Sequence, residues 1–516
     1  MVYIKSSPEQ TFLLPTDLRT KISQDHICFL IEEVVNQLDF TKFNDAVIGA
    51  GNPSYHPRIN LKIILNGICD RITSTRQLEK QTHENIVFMY LAENLNPNFH
   101  TIAMFRKNNG ELIKQCFLQT VEVAKQLEMT NFSKLYLDGI KVKANASKSK
   151  TFSKDEIEFL SQFVDEHLKE MDEVEKKELN EEELKIPEHL TNKSKLRAKI
   201  KQILKNVSNS KENLDRAKEK IGREKVEKVN LTDMDSKLMK MKKGIHYEQA
   251  YNCQLLVEDK IGVIVGNHLS DSPGDATETK PAMEKFKEEQ KIDLEGIEIF
   301  QDNGYSGSKT AEYYENEKAI AYIPDQVTTK ELHGKVYKIS EFDNDNFELD
   351  FEKNQAICPA RHRMDFVKKV YDGRGHGNWT NVYKTKKCNR CPLQEKCAKG
   401  RKGYPYREAR INPLMRKIRL RFKTNEGIEK YNKRFHKGEV AQAHIEYNLG
   451  YREFRCRGEE ACKNEVNLFS IAYNLKKIQI QLKKNSEKIG VEASCEIFNG
   501  ICILFFNFKI FVTQPL

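Results

Sequence analysis

The sequence predicts a mixed α/β protein on three observations. Residues 1–125 carry apolar side chains at helical spacing, as in ICFLIEEVVNQL and LKIILNGICDRI, with few alternating β-branched runs. Further on, YNCQLLVED and IGVIVGNHLS alternate or run apolar with a period of two, as strands do. GIEIFQDNGYSG, AEYYENEKAI and AYIPD then read as strand, helix and strand, the unit that builds a parallel strand pair.

Composition bounds the class. At 516 residues the chain has room for two to four domains, at roughly 100–200 residues each. A hydrophobic fraction of 39% and a charged fraction of 31% fit a soluble globular protein and exclude disordered and membrane-embedded classes. Lys plus Arg exceed Asp plus Glu by 85 to 75, and the +10 balance favours a polyanion as partner. The start MVYIKSSPEQ has no apolar stretch after a basic head, so a cytoplasmic location is expected, with the 12 cysteines largely reduced. Near the C-terminus the apolar run Ile501 to Phe506 is far shorter than the ~18 residues of a membrane span. No membrane partner is expected.

Taken in order, residues 1–125 form a helical domain in which Thr73, Ser74 and Thr75 offer hydroxyls for an N-cap. Arg71, Arg76, Lys80, Arg106 and Lys107 would face phosphates if this is a helix-turn-helix module, and water if it is an ordinary helical domain. Residues 126–150 open a sheet core, which resumes at 245–330 and ends at 405–482. Between the first two pieces, 151–244 is dense in Lys and Glu. Its apolar stripes are Ile157, Leu160, Val164, Leu168 and Met171, then Leu196, Ile200, Ile203, Val207, Leu214, Ala217 and Ile221, which predict an inserted antiparallel helical hairpin. A cysteine-bearing insertion occupies 331–404, and the tail 483–516 has no assigned role.

Three carboxylates stand out. In KLYLDGIKVKANAS, Asp138 interrupts an extended run beside Leu135 and Leu137. In IEIFQDNGY, Asp302 ends a strand just before Gly304, where a tight turn exposes a carboxylate at the strand's C-terminal edge. GEVAQAHIEYNLGY reads as a short helix begun by Glu439 and closed by Gly450. Glu446, seven residues after Glu439, lies two turns on and nearly on the same face, so either glutamate suits the third position. Asp233 and Asp235 in LTDMDSKL sit in a polar connector and are assigned capping and turn roles.

The ordered set DGIKVKANAS, QDNGYSG, the Glu439 helix, GYREFRCRG and NEVNLFSIAYNLKKI resembles the catalytic blocks of bacterial insertion-sequence DDE transposases. HPRINLKIILNGI, STRQLE and NPNFHTIAMFR are similar to the N-terminal helical domain of insertion-sequence group eleven-eighty-two. The resemblance spans nearly the whole chain. It implies an RNase H-like fold in which Asp138, Asp302 and Glu439 are catalytic and bind two Mg²⁺ or Mn²⁺ ions. Oxygen ligands suit these hard ions, and an ion pair about 3.5–4 Å apart can clamp both the attacking and the leaving oxygen of a phosphoryl displacement. It also implies Tyr431 and Arg434 upstream of the glutamate, and a lysine where this chain has Glu446. Double-stranded DNA is the implied partner, both as terminal inverted repeats and as target, with a homodimer in the active complex on the bacterial nucleoid. A catalytically inactive or domesticated relative that only binds DNA is the competing reading.

Two further features concern binding. Cys358, Cys388, Cys391 and Cys397 include a CxxC pair and suit a structural Zn²⁺, with His362 or His376 as substitutes for Cys358, or are plain reduced thiols. Trp379 either packs a hairpin or stacks on an extruded base. Lys141 and Lys143 beside Asp138, and Arg452, Arg455 and Arg457 in GYREFRCRG, are candidate phosphate contacts.

Overall fold

A computed structural model describes residues 17–41, 43, 55–171, 186–205, 207–241, 246–332, 341–371, 378–397 and 408–489. The chain divides into two units: the first comprises 1–129, 143–235 and 443–516, and the second 130–142 and 236–442.

In the first unit the helix Pro57–Cys69 begins with Pro57 in its first turn and the His56 side chain capping the Arg58 N–H. Every residue from Ile59 to Cys69 is buried, as befits a helix enclosed on all sides. Around it lie Ile27–Asn36, Ile86–Leu91, Phe99–Asn108 and the C-terminal helix Glu459–Ile489, which also packs along Gly110–Gln126. That last helix buries Val466, Phe469, Ile471, Tyr473, Leu475 and Ile478. Thus the helices expected as a separate domain at 1–125 share their core with a segment more than 300 residues later. Ser74 occupies the N-cap of Thr75–Glu84 but its hydroxyl makes no capping bond.

The inserted arm also belongs to this unit. An antiparallel pair, Thr151–Ser153 with Lys228–Asn230, closes the base of helices Lys154–Met171, Lys193–Lys205 and Val207–Glu224. Ile157, Leu160, Val164, Leu196, Ile200, Ile203, Leu214, Ala217 and Ile221 bury one cluster with Phe152, Phe163, Leu190 and Val229. The second stripe is divided between two helices, so three helices stand where the periodicity predicts two. Asp235 pairs with Lys220 and accepts the Glu459 N–H at 3.0 Å, capping the long helix, while Asp233 accepts the Gly458 N–H at 3.3 Å.

The second unit holds a mixed sheet of six strands: β1 Lys134–Lys143, β2 Lys237–Lys240, β3 Tyr247–Glu258, β4 Ile264–Ser270, β5 Glu298–Phe300 and β6 Ile320–Tyr322. Its order is β2-β3-β1-β5-β6, with β4 also paired to β3. β2 and β4 run antiparallel to β3, whereas β1, β5 and β6 are parallel. A central strand with an antiparallel meander on one side and two parallel strands on the other is the RNase H-like arrangement. The strand β2 lies within the range assigned to the arm, which ends earlier, at Asn230. A second, antiparallel sheet of five strands, β7 Glu348–Asp350, β8 Gln355–Ile357, β9 Arg363–Tyr371, β10 Trp379–Lys384 and β11 Ala409–Ile411, has its own core around Phe347, Met364 and Tyr383. Among the described residues no helix is long and apolar enough to cross a membrane; the C-terminal run Ile501 to Phe506 lies outside them.

Candidate active site

The sheet register brings the first two aspartates together. Tyr136 on β1 pairs with Phe300 on β5, the last pair of that register, and Asp138 and Asp302 each follow two residues later, both close enough for their charges to act on Arg434. Because side chains alternate, Tyr136 and Asp138 share a face, as do Phe300 and Asp302. Tyr136, Phe300 and Tyr322 stack there with ring centroids 5.0 and 4.9 Å apart, bracing the three parallel strands beneath the carboxylates. Asp302 Oδ1 accepts the Gly304 N–H at 2.7 Å, an Asx turn that stops the strand and fixes the side chain.

Arg434 ties in the glutamate. Its Nη2 lies 2.9 Å from Asp138 Oδ2 and its Nη1 3.8 Å from Glu439 Oε1. The side chains of Arg434 and Asp138 are 6% and 7% exposed, and that of Glu439 is 47% exposed. Burial opposes the guanidinium charge, but Asp138, Tyr431, Asp302 and Glu439 outweigh it and raise the Arg434 pKa. Glu439 shares its unit with Asp138 and Asp302, while Glu446 belongs to the other unit, in the π-helical turn His444–Asn448.

A fourth carboxylate, Asp275, was not singled out by the sequence reading. Its Oδ1 accepts N–H bonds from Asn252 at 2.8 Å and Gln254 at 3.0 Å, two fully buried amides on β3. Gln254 in turn accepts the hydroxyl of buried Tyr305, whose pKa is raised by burial and then by the charges of Asp138, Asp275 and Asp302. The available signal was Asn252 and Gln254 themselves, polar residues two apart in the middle of a buried strand.

The donors fit a hard cation in kind: Asp302 Oδ2 and Asp275 Oδ2 accept no hydrogen bond among the described residues. Among those residues no three His, Cys, Asp or Glu side chains group closely enough to hold a metal ion alone. Mg²⁺ needs only one or two carboxylates, since waters and substrate phosphates complete its shell.

The basic residues divide. Arg76 is exposed over the Phe99 ring, 4.3 Å from its centroid, and exposed Arg71 donates to the Asn448 carbonyl at 2.7 Å. Arg452, Arg455 and Arg457 are exposed, with Arg457 Nε bonded to the Asn145 carbonyl at 3.0 Å. Lys143 lies 4.0 Å from Glu453, and Lys141 donates to the Lys240 carbonyl at 3.4 Å. Arg106 corrects the expectation. It is 4% exposed, bonded to the Thr73 carbonyl at 3.1 Å and 3.8 Å from buried Glu465, so it faces protein rather than phosphate. Trp379 is also turned inward, 7% exposed with Lys369 Nζ 3.7 Å from its ring centroid, and has no open face for a base. Cys358 is held in a tight turn where its Sγ accepts the His362 N–H at 3.4 Å, while Cys388, Cys391 and Cys397 lie on a later segment. The four thiols do not assemble a zinc site among the described residues, and His376 lies outside these.

His444, in the π turn, packs edge-on to Tyr473 with centroids 5.3 Å apart. Burial, then the charges of Lys476, Lys477 and Arg71, push its pKa down to about 4. A depressed folded pKa means that its contribution is complete above the unfolded value near 6.5 and is lost as pH falls toward 4. Urea midpoints at pH 7 and pH 4.5 should therefore differ less for His444→Phe than for the wild type.

Two family models match the chain: a transposase domain (DUF772) over residues 16–108 and a transposase DDE domain over residues 357–479. The second covers Arg434, Glu439 and the arginine-rich loop, but neither Asp138 nor Asp302. No curated protein matches the chain. Among solved structures, the cryo-EM structure of a piggyBac transposase synaptic complex with hairpin DNA aligns over 97% of this chain and 84% of that one, at 10% identity and a TM-score of 0.30, a likeness too loose to bear on the fold. A transposase model matches before the first strand of the sheet and a DDE transposase model after the last, and together these two matches support a DNA transposase function for the chain.

Proposed function

We propose that this transposase binds the terminal inverted repeats of a bacterial insertion sequence of the group eleven-eighty-two kind, cleaves the DNA at its ends and joins them to a target. Asp138, Asp302 and Glu439 are its catalytic carboxylates. The observation that supports this reading is Arg434, which ion-pairs with Asp138 and Glu439 and feels the charge of Asp302, two residues past the end of the β1/β5 pairing.

Asp138 and Asp302 would hold Mg²⁺ or Mn²⁺ at the strand ends, with Glu439 completing one shell. When bound, two such ions supply charge stabilisation to the attacking and leaving oxygens of an in-line phosphoryl displacement. Tyr305 and Gln254 close the floor of the site and keep water from beneath it. Arg434 orients Asp138 and balances the crowd of carboxylates before DNA arrives. Arg71, Arg76, Lys141, Lys143, Arg452, Arg455 and Arg457 contact phosphates, which fixes register on the duplex without reading sequence. Two copies of the chain synapse the two ends.

The test is incubation of the purified full chain with DNA carrying the repeats that flank its coding region. Nicked and joined products are expected with Mg²⁺ or Mn²⁺ and none with EDTA. Cleavage that persists in EDTA overturns the metal-dependent reading. Binding without any cleavage in either metal overturns the catalytic one and leaves a DNA-binding relative.

A further inference from the structure

Asp275 lies on the connection between β4 and the helix Thr279–Gln290, outside the three carboxylates of the proposed triad. Its place is set by close approach to both aspartate-bearing strands. A Cβ on Gly139, the residue after Asp138, would meet Asp275 Oδ1 at 2.7 Å. A Cβ on Gly304, two residues after Asp302, would meet Asp302 Oδ1 at 2.9 Å and Asp275 Oδ2 at 3.4 Å. Glycine at 139 is what lets Asp275 come this close to the strand of Asp138, since a Cβ there would push it away, and at 304 a Cβ would crowd Asp302 while only touching Asp275.

The two oxygens of Asp275 are in different states. Oδ1 is engaged by the Asn252 and Gln254 amides, both fully buried, and Gln254 is itself fixed by Tyr305. Oδ2 accepts no hydrogen bond among the described residues and lies beside Gly304, next to Asp302. A buried pair of amides thus locks one oxygen, while the other, on a half-buried side chain near a second carboxylate, is open to a cation, and a divalent ion there would offset the repulsion between the two like charges. Arg434 ion-pairs with Asp138 and Glu439, and among the described residues neither Asp275 nor Asp302 has an ion pair of its own.

We infer that Asp275 is a fourth carboxylate of this site and holds, through Oδ2, a divalent cation shared with Asp302. The inference rests on the proposed carboxylate site but adds to it a residue that neither the triad nor the matched DDE segment contains. Asparagine is the matched substitute. Its amide oxygen can still accept from Asn252 and Gln254, and only the charge at Oδ2 is removed.

The experiment measures Mn²⁺ binding to the full chain without DNA by the electron paramagnetic resonance signal of free Mn²⁺, and thermal unfolding without metal as the check on folding. Wild type, Asp275→Asn and Asp138→Asn are compared. Asp275→Asn should unfold near the wild-type temperature and bind Mn²⁺ about tenfold or more weakly, as loss of a metal-site group does elsewhere. Wild-type Mn²⁺ affinity in Asp275→Asn, with weakened binding in Asp138→Asn, overturns the role of Asp275 and leaves the triad standing. Absence of Mn²⁺ binding by the wild type, or unchanged binding in Asp138→Asn, overturns the carboxylate site itself and this inference with it. Should Asp275→Asn fail to fold, Asp275→Glu takes its place: it keeps the charge one methylene further out, and unaltered Mn²⁺ affinity in it likewise overturns the proposal.

Discussion

Asp138→Asn is expected to reduce strand cleavage by about a thousandfold or more, equivalent to roughly 4 kcal/mol of transition-state stabilisation. Asparagine keeps the shape of aspartate and its bond from the Gly139 N–H but removes the charge that would hold a metal ion and face Arg434. Because Arg434 is buried, losing its partner also strains the fold, so activity and unfolding must be read together. Asp302→Asn separates the two effects. Its Oδ1 can still accept the Gly304 N–H, and among the described residues it makes no ion pair, so cleavage should fall as far with little change in melting temperature. The measurement is the single-turnover rate of end cleavage at saturating Mn²⁺. A loss of less than tenfold in either variant that folds normally would remove that aspartate from the triad.

Arg106→Ala should destabilise the first unit by about 3–5 kcal/mol, the usual cost of leaving one member of a buried ion pair alone. Glu465, 2% exposed, has Arg106 Nη1 at 3.8 Å and otherwise leans on backbone: it accepts the N–H groups of Arg455 at 3.0 Å and Cys456 at 2.7 Å, and the Tyr451 hydroxyl. Burial raises the Glu465 pKa, and Arg106 and the two backbone N–H groups act against that rise. With its folded pKa raised, Glu465 contributes stability that is present below the unfolded value near 4.5 and lost as pH climbs. Removing Arg106 steepens that loss, so the gap between variant and wild type should be wide at pH 7 and narrow toward pH 4. Adding Glu465→Gln to Arg106→Ala should restore part of the lost stability at pH 7, because no bare charge remains in the interior. Urea denaturation of the four chains at both pH values checks this, and additive losses would refute the pairing.

The same pair explains why the arginine-rich loop is well formed. Glu465 gathers the backbone of 451–456 from within, so Arg452 and Arg455 project outward from a fixed loop. The sequence alone made that loop visible as a run of arginines, but not the carboxylate beneath it, since Glu465 reads as one more charge on a helix. Much of the rest follows that division. Asp138 and Asp302 were legible because each breaks an apolar strand, and only a sheet edge makes such a break useful. Asp275 was illegible: it sits in SDSPGDATE, a polar turn in which any acid looks solvated, and its proposed role comes from its closeness to Gly139 on β1 and Gly304 in the turn after β5. Arg106 was misread and Trp379 left open between two readings for a shared reason. A helix or strand with mixed polarity does not announce which face it buries, and Arg and Trp are the residues most often used on either side. The inserted arm was clear from its stripes, but its third helix and early closure depend on where a break falls inside a continuous pattern.

The position of β1 carries a consequence for how the protein is made. It is the middle strand of its sheet, yet its neighbours begin only at Tyr247 and Glu298, so when β1 leaves the ribosome neither flank exists. The arm that follows has its own buried cluster and can collapse while the sheet waits. Strand pairing over such separations is slow. A nascent or prematurely ended chain can already display the helices that precede β1 while lacking the strand that brings Asp302 to Asp138. The order of the chain thus acts as an interlock: no fragment released before completion of β5 carries both Asp138 and Asp302, the pair proposed to cut DNA.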